Sequence, residues 1–286
     1  MTIKERLKEM GDYSPILEQR PVAGGDINDS FYILTRESSY FVKSNSNVPS
    51  SFFEVEAFGL ESIRQTQTIR VPKVYYYDTD PSKKMYFIME WIEGEKTGHT
   101  GESLGSSLAE MHLANSHRYY GLDRHSFVGT LTQENQWYKN WTDYYREKRL
   151  LPQLELGKKN GYVTGKRLLN LENLMKRLES FIPADPGVSL LHGDLWAGNW
   201  MVGHQGVPYL IDPSIVYGDH VFELAMTELF GGFPKEFYDA YKEILPFPDD
   251  YEDRKPIYQL FYLLVHLNLF GETYGPAVDR ILEKYK

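Results

Sequence analysis

The sequence predicts an α+β fold in two lobes, a small β-rich N-terminal lobe carrying one main helix and a larger, mostly helical C-terminal lobe. Three observations carry this expectation. Runs of β-branched and aromatic residues bounded by turn residues crowd the first third of the chain, helical spacing of apolar residues dominates after Gly94, and one group of short strands interrupts the helices between Leu190 and Ile215.

The elements follow in order. Phe31-Tyr32-Ile33-Leu34 and Tyr40-Phe41-Val42 read as a hairpin across the polar stretch Thr35 to Ser39, preceded by the turn Gly24-Gly25-Asp26. Phe53, Ala57 and Leu60 recur at helical spacing within Phe52 to Gln65. Val71 to Asp78 and Met85 to Ile92 read as strands parted by Asp78-Thr79-Asp80-Pro81, which sets the lobes at residues 1–92 and 93–286. Helices are then expected over Gly101 to Ser116, Trp137 to Leu151, Lys166 to Phe181, Phe222 to Leu229, Pro234 to Leu245 and Arg254 to Phe270. Val188 to Leu191, Trp200 to Val202 and Tyr209 to Ile211 are short strands, the last two turned by Gly203-His204-Gln205-Gly206.

Composition removes several function classes. The chain has 286 residues, a formal charge of −9 and no cysteine, which excludes disulfides, thiolate metal sites and cysteine nucleophiles and ranks nucleic acid low as a partner. The opening MTIKERLKEM lacks the apolar stretch of a signal peptide, and the longest apolar run, Leu260 to Phe270, is about half of a membrane span and contains His266 and Asn268. A cytoplasmic protein without membrane attachment is the expectation.

The chemistry concentrates in His192-Gly193-Asp194-Leu195-Trp196-Ala197-Gly198-Asn199, followed by a hairpin and Ile211-Asp212-Pro213. Phosphoryl transfer needs one carboxylate to orient the attacking hydroxyl, and an Asn with a second carboxylate to hold Mg²⁺ on the phosphates; Asp194, Asn199 and Asp212 form that set. Folding the hairpin brings Asn199 and Asp212 side by side. Lys43 ends a strand and Glu56 lies on the next helix, the pair a nucleotide site uses to hold phosphates and fix the lysine rotamer. Glu54 lies about 200° around the helix from Glu56, so only one of them faces in, and the apolar neighbour Leu60 favours Glu56. Gly24 and Gly25 stand where a turn over phosphates would sit. Backbone groups of Glu90, Trp91 and Ile92 could pair with an adenine edge, with Met89 bordering the ring. His192 reads as a structural hydrogen-bonding residue, His112, His117 and His220 as surface or satisfied core, and Trp137, Trp141, Tyr144 and Tyr145 as core at helical spacing.

In this order the residues resemble the aminoglycoside and choline kinase superfamily, and in detail its fructosamine kinase (ketosamine 3-kinase) branch. The resemblance spans nearly the whole chain, through the His192 to Asn199 segment, Phe222-Glu223-Leu224-Ala225, Leu229-Phe230-Gly231-Gly232-Phe233-Pro234 and Tyr258-Gln259-Leu260-Phe261. It implies a protein-kinase-like fold, ATP with Mg²⁺, and phosphorylation of the 3-hydroxyl of a ketoamine sugar on a lysine or free amine, leading to deglycation. It also implies Asp194 as base, Asn199 and Asp212 as metal ligands, Lys43 with Glu56 as the ion pair, and Glu90 to Ile92 as the hinge. Trp196, His266 and Asn268 are expected to line the acceptor site. A redox-linked dimer through a cysteine in the glycine loop, known in some relatives, is excluded because Asp26-Ile27 stands there; no oligomeric state is inferred. Two other readings stay open, a kinase of another amino sugar or amino alcohol and a nucleotide-binding module without turnover.

Overall fold

Alternation along Tyr40 to Lys43 decides how the first sheet is covered, because successive side chains of a strand point to opposite faces. Tyr40 and Val42 pack with Ile33, Ile88 and Leu7, while Lys43 points to the opposite side. In this computed structural model, residues 2–23, 27–114 and 117–286 are described. Leu7 lies on α1 (Ile3–Glu9), a short helix begun by a capping box between Thr2 and Glu5. Buried Arg6 ties it to Asp78 at 2.5 Å. This helix was not assigned from sequence, and neither was β1 (Ile16–Pro21), whose side chains are mostly exposed and carry little alternation.

With β2 (Asp29–Thr35), β3 (Ser39–Asn45), β4 (Val74–Tyr77) and β5 (Met85–Glu90), β1 forms an antiparallel sheet in the order β1-β2-β3-β5-β4. The helix α2 (Phe52–Thr66) packs on the Lys43 side, with Phe53 stacked on Phe87 at 5.6 Å between ring centres. After Glu90 the chain runs without helix or strand to α3 (Thr100–Leu113). Gly94 lies so close to the Gly203 carbonyl that a Cβ would stand 1.9 Å from its oxygen, so no other residue fits there.

The second part adds a hairpin not read from sequence, β6 (Ser126–Val128) and β7 (Leu131–Gln133). The helix expected over 137–151 starts later and runs further, as α4 (Trp141–Tyr144), one π-helical stretch over 145–150, and α5 (Leu151–Asn160). The π stretch just precedes Pro152, whose missing N–H cannot extend a regular ladder. Then follow α6 (Gly165–Lys176), β8 (Ser189–Leu191), the hairpin β9 (Trp200–Val202) and β10 (Pro208–Leu210), and β11 (Val216–Gly218) paired with β8. Four helices close the fold: α7 (His220–Leu229), α8 (Lys235–Ile244), α9 (Tyr251–Phe270) and α10 (Gly275–Lys284). One buried cluster runs from Phe53 and Leu60 of α2 through Leu104 and Leu108 of α3 to α9, so sheet and helices share a core. Trp141 is fully buried there and donates to Tyr258, which donates to Asp219. Among the described residues no helix is long and apolar enough to cross a membrane.

Candidate active site

The hairpin β9–β10 does what its spacing requires. Leu210 pairs with Trp200 and the Ile211 N–H donates to the Asn199 carbonyl at 3.0 Å, so the flanking residues Asn199 and Asp212 meet at one end of the ladder. Asp212 adopts φ +56°, a left-handed conformation unusual for an aspartate and more so before a proline, which favours extended backbone at the preceding residue. Such a conformation costs roughly 1–3 kcal/mol, and the Asp212 carboxylate reaches the sheet. There it ion-pairs with Lys43, whose ammonium also donates to Glu56 Oε1 at 2.7 Å. Burial works against the lysine charge, but Asp212 and Glu56 outweigh it and raise its pKa. The choice between Glu54 and Glu56 is resolved in favour of Glu56, since Glu54 is exposed.

Asp194 follows the buried strand β8. Burial and the nearby Asp212 charge push its carboxyl up to about 8, while Asn199 Nδ2 partly offsets this by donating to Asp194 Oδ2 at 3.2 Å. The same Nδ2 donates to the Asp194 carbonyl at 2.7 Å, which leaves Asn199 Oδ1 as the oxygen available to a ligand. His192 is fully buried, donates Nε2–H to the Ile211 carbonyl at 2.7 Å and accepts the Asp194 N–H on Nδ1, so it braces the turn as a neutral ring.

A buried charge beneath this turn was not recognised from sequence. Glu223 of α7 accepts the His192 and Gly193 N–H groups at 3.0 and 2.7 Å and the His112 Nε2–H at 2.9 Å, while His112 Nδ1 meets Tyr241 at 2.6 Å. Burial opposes its ionisation, yet the His112 hydrogen bond and charge hold it below the ordinary glutamate value. The signal available in the sequence was a glutamate in the apolar run Val221 to Met226, where an unpaired charge would be costly.

Lys43, Glu56, Asp194, Asn199 and Asp212 line the inner end of a cavity of about 730 Å³. Its outer end is aromatic: Phe230, Phe270 and Tyr274 surround His266, whose ring lies 4.7 Å from Phe230 and 5.0 Å from Tyr274, and Trp196 lines the same cavity. His266 donates Nδ1–H to the Tyr262 carbonyl at 2.8 Å, and burial lowers its pKa, so the ring is neutral with Nε2 as an acceptor. Trp196 is 43% exposed at the rim. Phe230, Phe270, Tyr274 and the hairpin tip Val128-Gly129-Thr130 were not singled out as lining residues.

One expected lining residue is corrected. Asn268 is buried against α5, donating to the Gln153 carbonyl and Oε1 at 3.0 Å each, and does not line the cavity. Two residues past His266 on one helix, it points about 200° away. Met89, Glu90, Trp91 and Ile92 also lie outside the lining: Met89 and Ile92 are buried, the Glu90 carboxylate accepts the Lys73 N–H at 3.0 Å, and the Trp91 ring meets Tyr32 edge-on at 4.8 Å. Gly24 and Gly25 fall outside the described residues; Ile27 and Asn28 beyond them line the cavity.

The donor set suits a hard divalent cation. Among the described residues no three His, Asp or Glu side chains gather as a metal cage; Asn199 Oδ1 and the Asp212 carboxylate are the oxygens on offer, with the Asp194 carboxylate crowded beside them. A cation completed by phosphate oxygens and water is the coordination Mg²⁺ prefers.

The profile of the fructosamine kinase family matches residues 1–286. The chain belongs to the fructosamine kinase family. Relatives agree over nearly the full length: a protein described as a ketoamine kinase from Lactiplantibacillus plantarum is 41% identical, covering 94% of this chain and 95% of its own. The protein-ribulosamine 3-kinase of Arabidopsis thaliana chloroplasts is 35% identical, covering 99% of this chain and 87% of its own. A crystal structure described as a fructosamine-3-kinase from Haemophilus somnus superposes with a TM-score of 0.88 at 27% identity, over 99% of this chain and 96% of the other. An aminoglycoside phosphotransferase shares the fold at a TM-score of 0.62 and 13% identity, with 99% of each chain covered. Membership in the fructosamine kinase family thus agrees with the two-part α+β architecture and with a kinase-type site.

Proposed function

We propose that this chain is an ATP-dependent kinase that phosphorylates the sugar 3-hydroxyl of ketosamines, adducts of fructose- or ribulose-type sugars with lysine or free amines, and so initiates deglycation in the cytoplasm. The observation that carries the reading is the Lys43 ammonium held between Glu56 and Asp212 at the inner end of a cavity that Asp194 also lines. In this reading residues 1–92 hold the nucleotide and residues 93–286 hold the acceptor. Lys43 neutralises phosphate charge, and Glu56 keeps its rotamer fixed. Asn199 and Asp212 would hold Mg²⁺, which supplies positive charge for the transferring phosphoryl group.

Asp194 orients the acceptor hydroxyl and takes its proton as the oxygen attacks. Burial first, and then the nearby Asp212 charge, raise its proton affinity, the direction a base needs. Glu223, through the His192 and Gly193 N–H groups, fixes the turn that carries it. Trp196 offers an indole face to the sugar, and His266 Nε2 can accept a sugar hydroxyl. The aromatic outer end excludes water from the acceptor, which strengthens the charges at the inner end.

The test is ADP release with ATP and Mg²⁺ against ribulosyl-lysine, fructosyl-lysine, choline, ethanolamine and an aminoglycoside, with Asp194→Asn as the blank. Turnover confined to ketoamines is the expected outcome. Turnover on another acceptor alone overturns the substrate class, and ATP binding with no turnover on any acceptor overturns the enzyme.

A further inference from the structure

Part of the aromatic outer wall sits on a short segment with few backbone bonds of its own. Tyr274 closes a three-residue 3₁₀ turn, Glu272–Tyr274, that contains no buried residue and joins α9 to α10. Its backbone is held by two bonds, Gly275 N–H to the Glu272 carbonyl and Tyr274 N–H to the Gly271 carbonyl, the latter long at 3.3 Å. Besides the packing of Tyr274 on His266 and Phe270, side-chain bonds from α6 hold it.

Arg167 is 11% exposed at its side chain and spends all five N–H donors on three chain segments. Nε and Nη2 hold the Asp279 carboxylate of α10 at 2.7 and 2.9 Å, Nη1 and Nη2 hold Glu272 at 3.0 and 2.6 Å, and Nη1 donates to the Tyr162 carbonyl at 2.6 Å. Two bidentate carboxylates on one guanidinium define position and orientation, which a single surface ion pair does not. The first helical residue of α10 is shaped to admit the pair. A Cβ on Gly275 would stand 2.1 Å from Glu272 Oε1 and 2.5 Å from Arg167 Nη2, and Gly275 has ordinary helical φ, so the glycine is there for space. Hydrogen bonding to Arg167 holds the Glu272 carboxyl below the usual carboxylate range.

We propose that Arg167 is a positioning residue for the acceptor: by clamping Glu272 against Gly275 it sets the Tyr274 ring beside His266 and thereby defines the acceptor wall without touching the nucleotide end. The inference rests on the acceptor reading given above for the outer half of the cavity. Neither Arg167 nor Glu272 lines that cavity, so their effect on it passes through Tyr274.

The experiment compares wild type with Arg167→Gln, Glu272→Gln, Gly275→Ala and the double variant Arg167→Gln/Glu272→Gln. Readouts are KM for ribulosyl-lysine, KM for ATP, Tm, and amide deuterium uptake over residues 270–275. Each single variant is expected to raise the acceptor KM roughly fivefold to twentyfold with the ATP KM within about twofold, the signature of lost ground-state positioning. The double variant should be no worse than the poorer single one, and deuterium uptake should rise in all four. Glu272→Gln, exposed and isosteric, keeps Tm close to wild type and so separates positioning from folding. An unchanged acceptor KM in Glu272→Gln, a parallel rise in both KM values, or unchanged uptake overturns the proposal. A wild type that ignores ketoamines overturns the substrate reading instead, and the uptake comparison still decides the clamp.

Discussion

The two ends of the cavity are built by different physics. At the inner end Lys43, Glu56, Asp194, Asn199 and Asp212 are charged or amide groups whose positions follow from local geometry: a strand alternation, a helix face and a two-stranded hairpin. At the outer end Trp196, Phe230, His266, Phe270 and Tyr274 come from the turn after β8, the end of α7, the end of α9 and the turn beyond it. Charges act strongly and over distance in a partly dehydrated site, so the inner end tolerates few alternatives. Rings act by contact and shape, so the outer end can be retuned one wall at a time. The inner end should therefore govern kcat and the outer end acceptor KM.

The largest expected effect breaks the inner end. Asp194→Asn should lower kcat by about a thousandfold or more while leaving ATP affinity nearly unchanged, because it removes the proton acceptor and keeps the shape. Steady-state kinetics with nucleotide titration checks this, and turnover within tenfold of wild type would rule Asp194 out as the base. A smaller effect is expected at the outer end: Trp196→Ala should raise acceptor KM roughly tenfold with kcat changed far less, since it removes contact area and no charge. A loss in kcat matching that of Asp194→Asn would erase the distinction between the two ends.

Stability sharpens the comparison further. His220, at the start of α7, sits largely buried and unprotonated, its pKa driven down to about 3 first by burial and then by His112 and Arg254. Its ordinary value in the unfolded chain is about 6.5, so the unfolded state takes up the proton first. The stability tied to the neutral ring is fully present above about pH 6.5 and is lost at up to about 1.4 kcal/mol per pH unit as the pH falls toward 3. Wild type should therefore lose stability relative to His220→Gln by that slope, as read from denaturant melts between pH 7 and 5; parallel curves would contradict it. The smallest effect is at Asn268. Asn268→Ala should cost about 1–2 kcal/mol by removing its hydrogen bonds to Gln153, with acceptor KM unchanged, whereas a raised KM would return Asn268 to the cavity.

The difference between the two ends also explains what was legible. Asp194, Asn199 and Asp212 fall within one hairpin and its flanks, and Lys43 and Glu56 within one strand and the next helix, so residue type and spacing were sufficient. Asn268 was misplaced because residue type outweighed helical phase: the same 200° separation that distinguishes Glu54 from Glu56 separates Asn268 from His266. Glu223 was passed over because its partners are the backbone of a turn far away in sequence and His112 of α3. The helix α1 and the hairpin β6–β7 escaped because each is short, and short segments owe their stability to docking rather than to propensity, whereas α10, as long as α7 and α8, was left unread despite a comparable pattern.

The sequence by itself determined the α+β class, the order of strand lysine, helix glutamate and catalytic turn, and the hairpin that joins Asn199 to Asp212. Each depends on bonds between neighbours or on a fixed periodicity. Only the tertiary structure decided which aromatic rings line the outer end of the cavity, that Glu223 anchors the turn at His192 and Gly193 from below, and that Arg167 joins three segments behind Tyr274. Those contacts span a hundred residues or more in several cases, as between Arg167 and Glu272 or Asp279, and no local pattern encodes them because only the packed core brings the segments together.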